Sequence, residues 1–276
     1  MKRRDVLTAI GIGLGFGMMI WSMAMVSITK YNFKQLKLFW DLSSVIITLG
    51  GSLCAMLVNY PINQFKKLIK ITIESFKESE KSSIDIINQF IELSRKARRE
   101  GLLSLEDEIN QVNDGFLKKG LQMVVDGIEP ETIKDIMELE ISEMERRHKD
   151  GADMLRAWGG YAPAFGMAGT LIGLIQMLGN LSDSSQIASG MGKALITTFY
   201  GSLIANILFN PMASNLSFKS AQETAIREMM LEGILAIQSG VNPRIVEEKL
   251  ISYLSPDDRK TFAATATSEG GVSENG

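Results

Sequence analysis

The chain has 276 residues, 45% of them hydrophobic and 22% charged, with a formal net charge of −3. A single cysteine, Cys54, excludes an intrachain disulfide and any cysteine-based metal site, and the one histidine, His148, has no partner histidine with which to hold a metal. The charge balance leaves no basic excess of the kind that nucleic acid attracts, so no nucleic-acid partner is expected.

These averages conceal a division. Four runs carry no charge at all: Val6 to Thr29, Leu42 to Phe65, Ala157 to Ser182 and Ala194 to Phe218. Each reaches the roughly 20 residues that a helix needs to cross a hydrocarbon core of about 30 Å. The expected fold is an all-α integral membrane protein, with four transmembrane helices and a helical cytoplasmic domain inserted between the second and third. In chain order this gives a transmembrane hairpin over 1–60, with spans at about 6–28 and 42–60, and a cytoplasmic helical domain over 61–155. Helices 3 and 4 follow over 156–214, C-terminal cytoplasmic helices over 215–260, and a disordered Ser/Thr/Ala/Gly-rich tail over 261–276. Lysine and arginine flank the runs unevenly: Lys2, Arg3 and Arg4 precede the first, Lys66, Lys67 and Lys70 follow the second, and Arg146, Arg147, Lys149 and Arg156 precede the third. By the positive-inside rule both termini and the middle segment are cytoplasmic, although Lys30, Lys34 and Lys37 in the first outer loop run against the majority.

The first run alternates Gly11, Gly13, Gly15 and Gly17, and small residues let membrane helices approach closely. Tyr31, Phe33, Phe39 and Trp40 suit the outer interface. The second run contains Gly50 and Gly51 and ends at Pro61; this pair of spans offers packing features and no chemistry. Beyond it, apolar residues recur at helical spacing: Ile62, Phe65, Leu68, Ile69, Thr72 and Phe76, then Ile84, Ile87, Phe90 and Ile91. Ser104 followed by Asp107 resembles a weak capping box, and Pro130 with Glu131 suits a helix start.

The last two runs carry the functional signal. Gly166, Gly169 and Gly173 share a face that accepts close helix contact, with Thr170 beside it. In the fourth run Thr198, Ser202, Asn206 and Asn210 recur every fourth residue, a polar stripe that drifts only ~40° per step on an α-helix. Taken singly, each residue also suits a plain bond to its own or a neighbouring helix; repetition over three turns points to a water-lined or partner-lined path. No Asp or Glu lies inside any run, so a proton relay here needs a carboxylate from another chain. The residues leave two readings open: half of an ion pathway, or a scaffold. Pro163 and Pro211 interrupt the two runs near their cytoplasmic ends, either as plain kinks or as a gate. No nucleophile, paired carboxylate or phosphate-binding loop accompanies them, and no enzyme is expected.

In the middle segment Arg95, Lys96, Arg98 and Arg99, followed by Glu106, Asp107 and Glu108, form a surface with both signs of charge. A charge run of this kind is ordinarily just a solvated face.

Three stretches resemble the MotA/PomA family, the larger stator subunit of the bacterial flagellar motor. They are Tyr161-Ala-Pro-Ala-Phe-Gly-Met-Ala-Gly-Thr-Leu-Ile-Gly173, then Ala194-Leu-Ile-Thr-Thr-Phe-Tyr-Gly-Ser-Leu-Ile-Ala-Asn206 with Asn210-Pro211, and Ser239-Gly-Val-Asn-Pro-Arg-Ile-Val-Glu-Glu-Lys-Leu250. The resemblance implies a multi-pass protein of the bacterial cell membrane, surrounded by lipid, in which a pentamer of this chain encloses a dimer of a MotB-type partner. That partner's single span brings the ion-binding Asp, and the assembly turns ion flow into torque for swimming. It implies no cofactor, and the transported ion is a proton or sodium, since threonines at 170 and 198 occur with either. It makes Pro163 and Pro211 the family's gating and coupling prolines, and Thr170 and Thr198 pore-facing; with the stripe residues Ser202 and Asn206, read from their spacing, these form the expected ion-path lining. It also makes Ala97-Arg-Arg-Glu-Gly-Leu-Leu-Ser-Leu-Glu106 the stretch that touches the rotor protein FliG, with Arg98 and Glu106 as its charged pair. Two alternatives stand beside it: an ExbB/TolQ-type energiser of outer-membrane processes, whose relatives have three spans with the large cytoplasmic part after the first, and a non-conducting membrane scaffold.

Overall fold

The computed structural model describes residues 6–27, 30–31, 33–66, 68 and 82–270. The basic residues Lys2 to Arg4, the apolar positions Ile69, Thr72 and Phe76, and the end of the tail at 271–276 lie outside them. The helical architecture expected from the sequence is the one the chain adopts. Helix α1 is Val6–Ala24; a short antiparallel pair follows, β1 Met25–Ser27 and β2 Lys30–Tyr31, and then a 3-10 stretch Phe33–Phe39. Helices α2 (Leu42–Val45) and α3 (Gly51–Asn59) are joined by a π-helical turn, Ile46–Gly50. Then come α4 (Ser83–Glu100), a 3-10 turn Leu102–Leu105, α5 (Glu106–Gln111), α6 (Gly115–Val125) and the long α7 (Pro130–Leu178). Helix α8 (Ser184–Leu203) passes through a second π-helical stretch, Ile204–Phe209, into α9 (Asn210–Gln238), and α10 (Pro243–Ile251) and α11 (Pro256–Gly270) close the chain.

Among the described residues, three helical segments are long and apolar enough to cross a membrane: Leu36–Asn59, and stretches within Pro130–Leu178 and Ser184–Gln238. A further apolar helix, Ile10–Ala24, is shorter. Helix α8 begins ten residues before the uncharged run that marks it in the sequence, because the Asp183 carboxylate caps it by accepting from the Ser185 N–H. The Ser185 hydroxyl bonds to the same carboxylate, and together these contacts hold the Asp183 pKa below its ordinary value.

The chain divides into two compact units, one of Met1–Glu78 with Arg147–Lys219 and one of Ser79–Arg146 with Ser220–Gly276. In the first, Met56, Leu155, Phe209, Ala213 and Leu216 form an apolar cluster. Trp158 stacks on Phe209 with ring centroids 4.4 Å apart and satisfies its indole N–H on the Ser52 hydroxyl at 3.2 Å, as a half-buried tryptophan must.

The second unit is built by caps and a shared core. Ser82 caps α4, Asp114 caps α6 and Asn242 caps α10, the last with proline at the first helical position. Ile87, Phe90, Leu105, Leu117, Leu121, Ile133, Ile234, Val246 and Leu250 interlock in one core. The C-terminal helices, a separate segment by sequence, thus fold together with the middle segment, because neither buries its apolar face alone. Ser104 forms no capping box: its hydroxyl donates to the Gly101 carbonyl at 2.7 Å, and α5 starts from Leu105 with no side-chain cap. Nor does the tail begin at 261. Helix α11 runs to Gly270 because Phe262 is buried in this core and Asp257 and Asp258 favour its first turn.

Phe90 is fully buried, with its ring against Gly233. Phe90→Ala is expected to lower stability by about 3–5 kcal/mol, read as a drop in the unfolding midpoint of the purified protein in detergent.

Candidate ion-path site

Helices α7 and α8 meet backbone to backbone. A Cβ on Gly173 would lie 2.7 Å from the Gly190 carbonyl oxygen, and one on Gly190 would lie 2.8 Å from the Gly173 carbonyl oxygen. Likewise a Cβ on Gly166 would come within 2.9 Å of the Thr197 carbonyl oxygen, and one on Gly169 within 2.5 Å of the Thr197 side chain. A Cβ on Gly201 would meet the Ala162 carbonyl oxygen at 2.7 Å and the Pro163 Cα at 3.0 Å. The glycine face read from the sequence therefore packs against a second row of small residues, Gly190, Ala194, Thr197 and Gly201, all buried. Of this seam, only Gly166, Gly169 and Gly173 were legible in the sequence; among the glycines also read as packing features, Gly51 lies against Phe165, whereas a Cβ on Gly11, Gly13 or Gly17 meets nothing within 4 Å.

This seam turns the polar stripe outward. Thr198, Ser202, Asn206 and Asn210 are all exposed, while Thr197, Gly201, Ala205 and Phe209 beside them are buried. On an uninterrupted α-helix an every-fourth-residue stripe drifts around the axis; the π-helical stretch Ile204–Phe209 adds one residue to each closing ring and keeps Asn206 and Asn210 on the exposed side. Asn206 Nδ2 donates to the Ser202 carbonyl at 3.0 Å, so it is satisfied within its own helix, with the rest of the stripe uncovered.

Thr170 and Thr198 are brought together. Their hydroxyl oxygens are 2.5 Å apart, and Thr170 Oγ1 is also 2.9 Å from the Ala194 carbonyl oxygen. A hydroxyl has one hydrogen and two lone pairs. Thr170 also reaches the Gly166 carbonyl oxygen at 3.2 Å, and either hydroxyl can be the donor between the two threonines. Thr198 Oγ1 lies at the exposed surface and keeps lone pairs that can accept.

The two prolines sit at related points of the same contact. Pro163 has no N–H to give to the Gly159 carbonyl, and Pro211 none for the Ile207 carbonyl. Pro163 lies against Gly201, and a Cβ on Gly159 would be 2.4 Å from the Oδ1 of Asn210, the residue before Pro211.

The second span contributes what the sequence reading missed. Ser44, Thr48 and Ser52 are each 0% exposed and recur every fourth residue through the π-helical turn. Ser44 bonds to Asp41, Thr48 donates to the Thr197 carbonyl at 3.4 Å, and Ser52 donates to the Leu49 carbonyl at 3.1 Å. Serine and threonine in an apolar run signal such a ladder only when counted at a period of four.

In the second unit Arg98 and Arg99 close the last turn of α4, and Glu106, Asp107 and Glu108 open α5, so each cluster complements the helix dipole at its end. Lys96 and Glu108 pair at 2.8 Å, and this hydrogen bond raises the Lys96 pKa. Arg98 and Glu106 are exposed and, among the described residues, form no ion pair with each other. An open groove of about 980 Å³ runs beside α4, lined by Glu92, Arg95, Arg98, Arg99, Gln111 and Pro243 among others. Its cations outnumber its carboxylates.

The model of the MotA/TolQ/ExbB proton channel family matches residues 108–229. The chain is 44% identical over 265 residues to motility protein A of Borreliella burgdorferi, covering 96% of this chain and 100% of that one. It is 34% identical to chemotaxis protein PomA of Vibrio alginolyticus, covering 92% and 97% of the two chains. Among solved structures, a chain of the flagellar MotAB stator complex from Bacillus subtilis superposes with a TM-score of 0.84 at 35% identity, covering 92% of this chain and 98% of that one.

The glycine seam is testable by a matched pair. Gly173→Leu should force α7 and α8 apart and abolish a cooperative thermal transition in detergent, whereas Gly192→Ala, where a Cβ meets nothing within 4 Å, should leave it unchanged.

Proposed function

The chain belongs to the motility protein A family of flagellar stator subunits, and on that premise we propose that it forms, with an Asp-bearing MotB-type partner, an ion channel that drives the rotor. The family is one of channel-forming stator subunits and not an enzyme class. The observation that carries the reading is the uncovered polar stripe Thr198, Ser202 and Asn206 within the uncharged run Ala194 to Phe218. Hydroxyls and amides facing lipid are unfavourable, so this face is turned to another protein or to water.

Thr198 Oγ1 presents lone pairs to whatever lies against it. A cation beside a carboxylate, or the hydrogen of a protonated carboxyl, is the group it accepts. The partner's Asp supplies that carboxylate, and the ion, a proton or sodium, is cargo with no resident cofactor. Charging and neutralising the Asp changes which copy of this chain fits it best, and a ring of five copies around two partner helices turns in consequence. Pro163 and Pro211 leave the Gly159 and Ile207 carbonyls without their usual helical donors, which lowers the cost of bending where the ion exits. Four spans with both termini in the cytoplasm place the exposed Arg98 and Glu106 where a FliG-type rotor protein can meet them. The cytoplasmic part then comprises 61–155 and the C-terminal helices, with 156–214 lining the path.

Co-expression with the partner and measurement of ion flux in vesicles tests this directly. Thr198→Val should reduce flux about tenfold or more, the loss of one hydrogen bond to a charged group, while Thr198→Ser keeps most of it. Pro163→Ala, which restores a backbone N–H, should lower flux with the complex still assembled. Wild-type flux in both Thr198→Val and Pro163→Ala would remove these residues from the path, and sodium-free medium separates the two ions.

A further inference from the structure

The surface assigned to the rotor carries one apolar residue that its charges do not explain. Leu103 is 73% exposed, in the turn that joins the last turn of α4, with Arg98 and Arg99, to the first turn of α5, with Glu106 and Asp107. A single exposed leucine is ordinary on a protein surface; the backbone that holds this one is not. Gly101 sits at φ 87° and ψ 166°, a region occupied essentially by glycine alone. Its carbonyl accepts both the Ser104 hydroxyl at 2.7 Å and the Ser104 N–H at 3.2 Å. On the inner side Leu105 is fully buried in the core of its unit and Leu102 is half-buried. The Leu102–Leu105 turn is therefore pinned from behind and tied in front, with Leu103 left outside it.

We propose that Leu103 is the apolar anchor of the rotor-docking surface, and that the rotor face it meets carries a leucine-sized socket with an acidic rim toward Arg98 and a basic rim toward Glu106. This rests on the reading of Arg98 and Glu106 as rotor contacts. Interfaces of limited size concentrate apolar contact at the centre and charge at the rim. Here the charges fix the orientation of the partner, because only one arrangement sets each sign opposite its complement. The apolar contact supplies what salt does not screen. Holding the knob in a glycine-only turn removes the ordering cost that a flexible loop carries on docking.

The test uses the full chain with its partner subunit, purified in detergent, and measures binding to purified rotor protein at low and high salt, alongside swimming speed. Leu103→Ser and Leu103→Lys should each weaken binding about tenfold or more at both salt concentrations, with ion flux unchanged, while Leu103→Met retains it. Gly101→Ala, which disturbs the turn and removes no contact, should follow Leu103→Ser. Arg98→Glu should weaken binding chiefly at low salt. If Leu103→Ser or Leu103→Lys binds like the unsubstituted chain while Arg98→Glu fails, the anchor is overturned and the rotor-docking reading stands. If all of them bind normally, both fall.

Discussion

Everything at the candidate site depends on how closely α7 and α8 approach. Two glycines, Gly173 and Gly190, each lie where the other's carbonyl oxygen would meet a Cβ, and Gly166, Gly169 and Gly201 continue the contact along the seam. Helices in lipid gain nothing from hiding apolar surface, so their association rests on such packing and on polar contacts between helices. The seam fixes the rotation of α8. With Thr197 and Gly201 turned inward, Ser202 lies on the exposed side and Thr198 at the edge of the seam, exposed and beside Thr170. The polar stripe is thus a consequence of the packing as much as of its own sequence.

Backbone hydrogen bonding is irregular at this site. Helical carbonyls in hydrocarbon must find donors, yet Pro163 and Pro211 each withhold one, and a π-helical stretch runs directly into the second of them. A π-helical turn also sits in the second span, where Thr48 reaches the Thr197 carbonyl. Such stretches frequently occur at functional sites. Irregular backbone, prolines and small residues coincide in one unit, along the α7–α8 contact and its continuation to Pro211.

Much of this was legible in the sequence, and the reasons differ by element. Long uncharged runs declare membrane helices because length against bilayer thickness is a hard limit. Glycines three and four apart declare a contact face, so Gly166, Gly169 and Gly173 could be read. What they contact could not, because Gly190, Ala194 and Gly201 are common in any apolar helix and acquire meaning only from the opposing surface. The Ser44, Thr48 and Ser52 ladder was overlooked for the same reason, each residue being unremarkable alone. The π-helical stretches have no sequence signature, since they arise from local strain in the hydrogen-bond ladder. Charge complementarity with helix dipoles accounts for Arg98 and Glu106 structurally, so their role toward a partner rests on the family and not on their chemistry alone.

The central claim is that the exposed face of α8 is covered by the ion-binding span of a partner subunit. Cysteine cross-linking in membranes tests it most directly, after replacing Cys54, which is itself exposed. With a cysteine placed beside the partner's Asp, Ser202→Cys and Asn206→Cys should form disulfide-linked products with the partner, and Leu195→Cys and Ile175→Cys, exposed apolar positions off the stripe, should not. Cross-linking from Leu195 or Ile175 with none from Ser202 or Asn206 would contradict the account, because the partner would then lie against an apolar face and the polar stripe would line nothing.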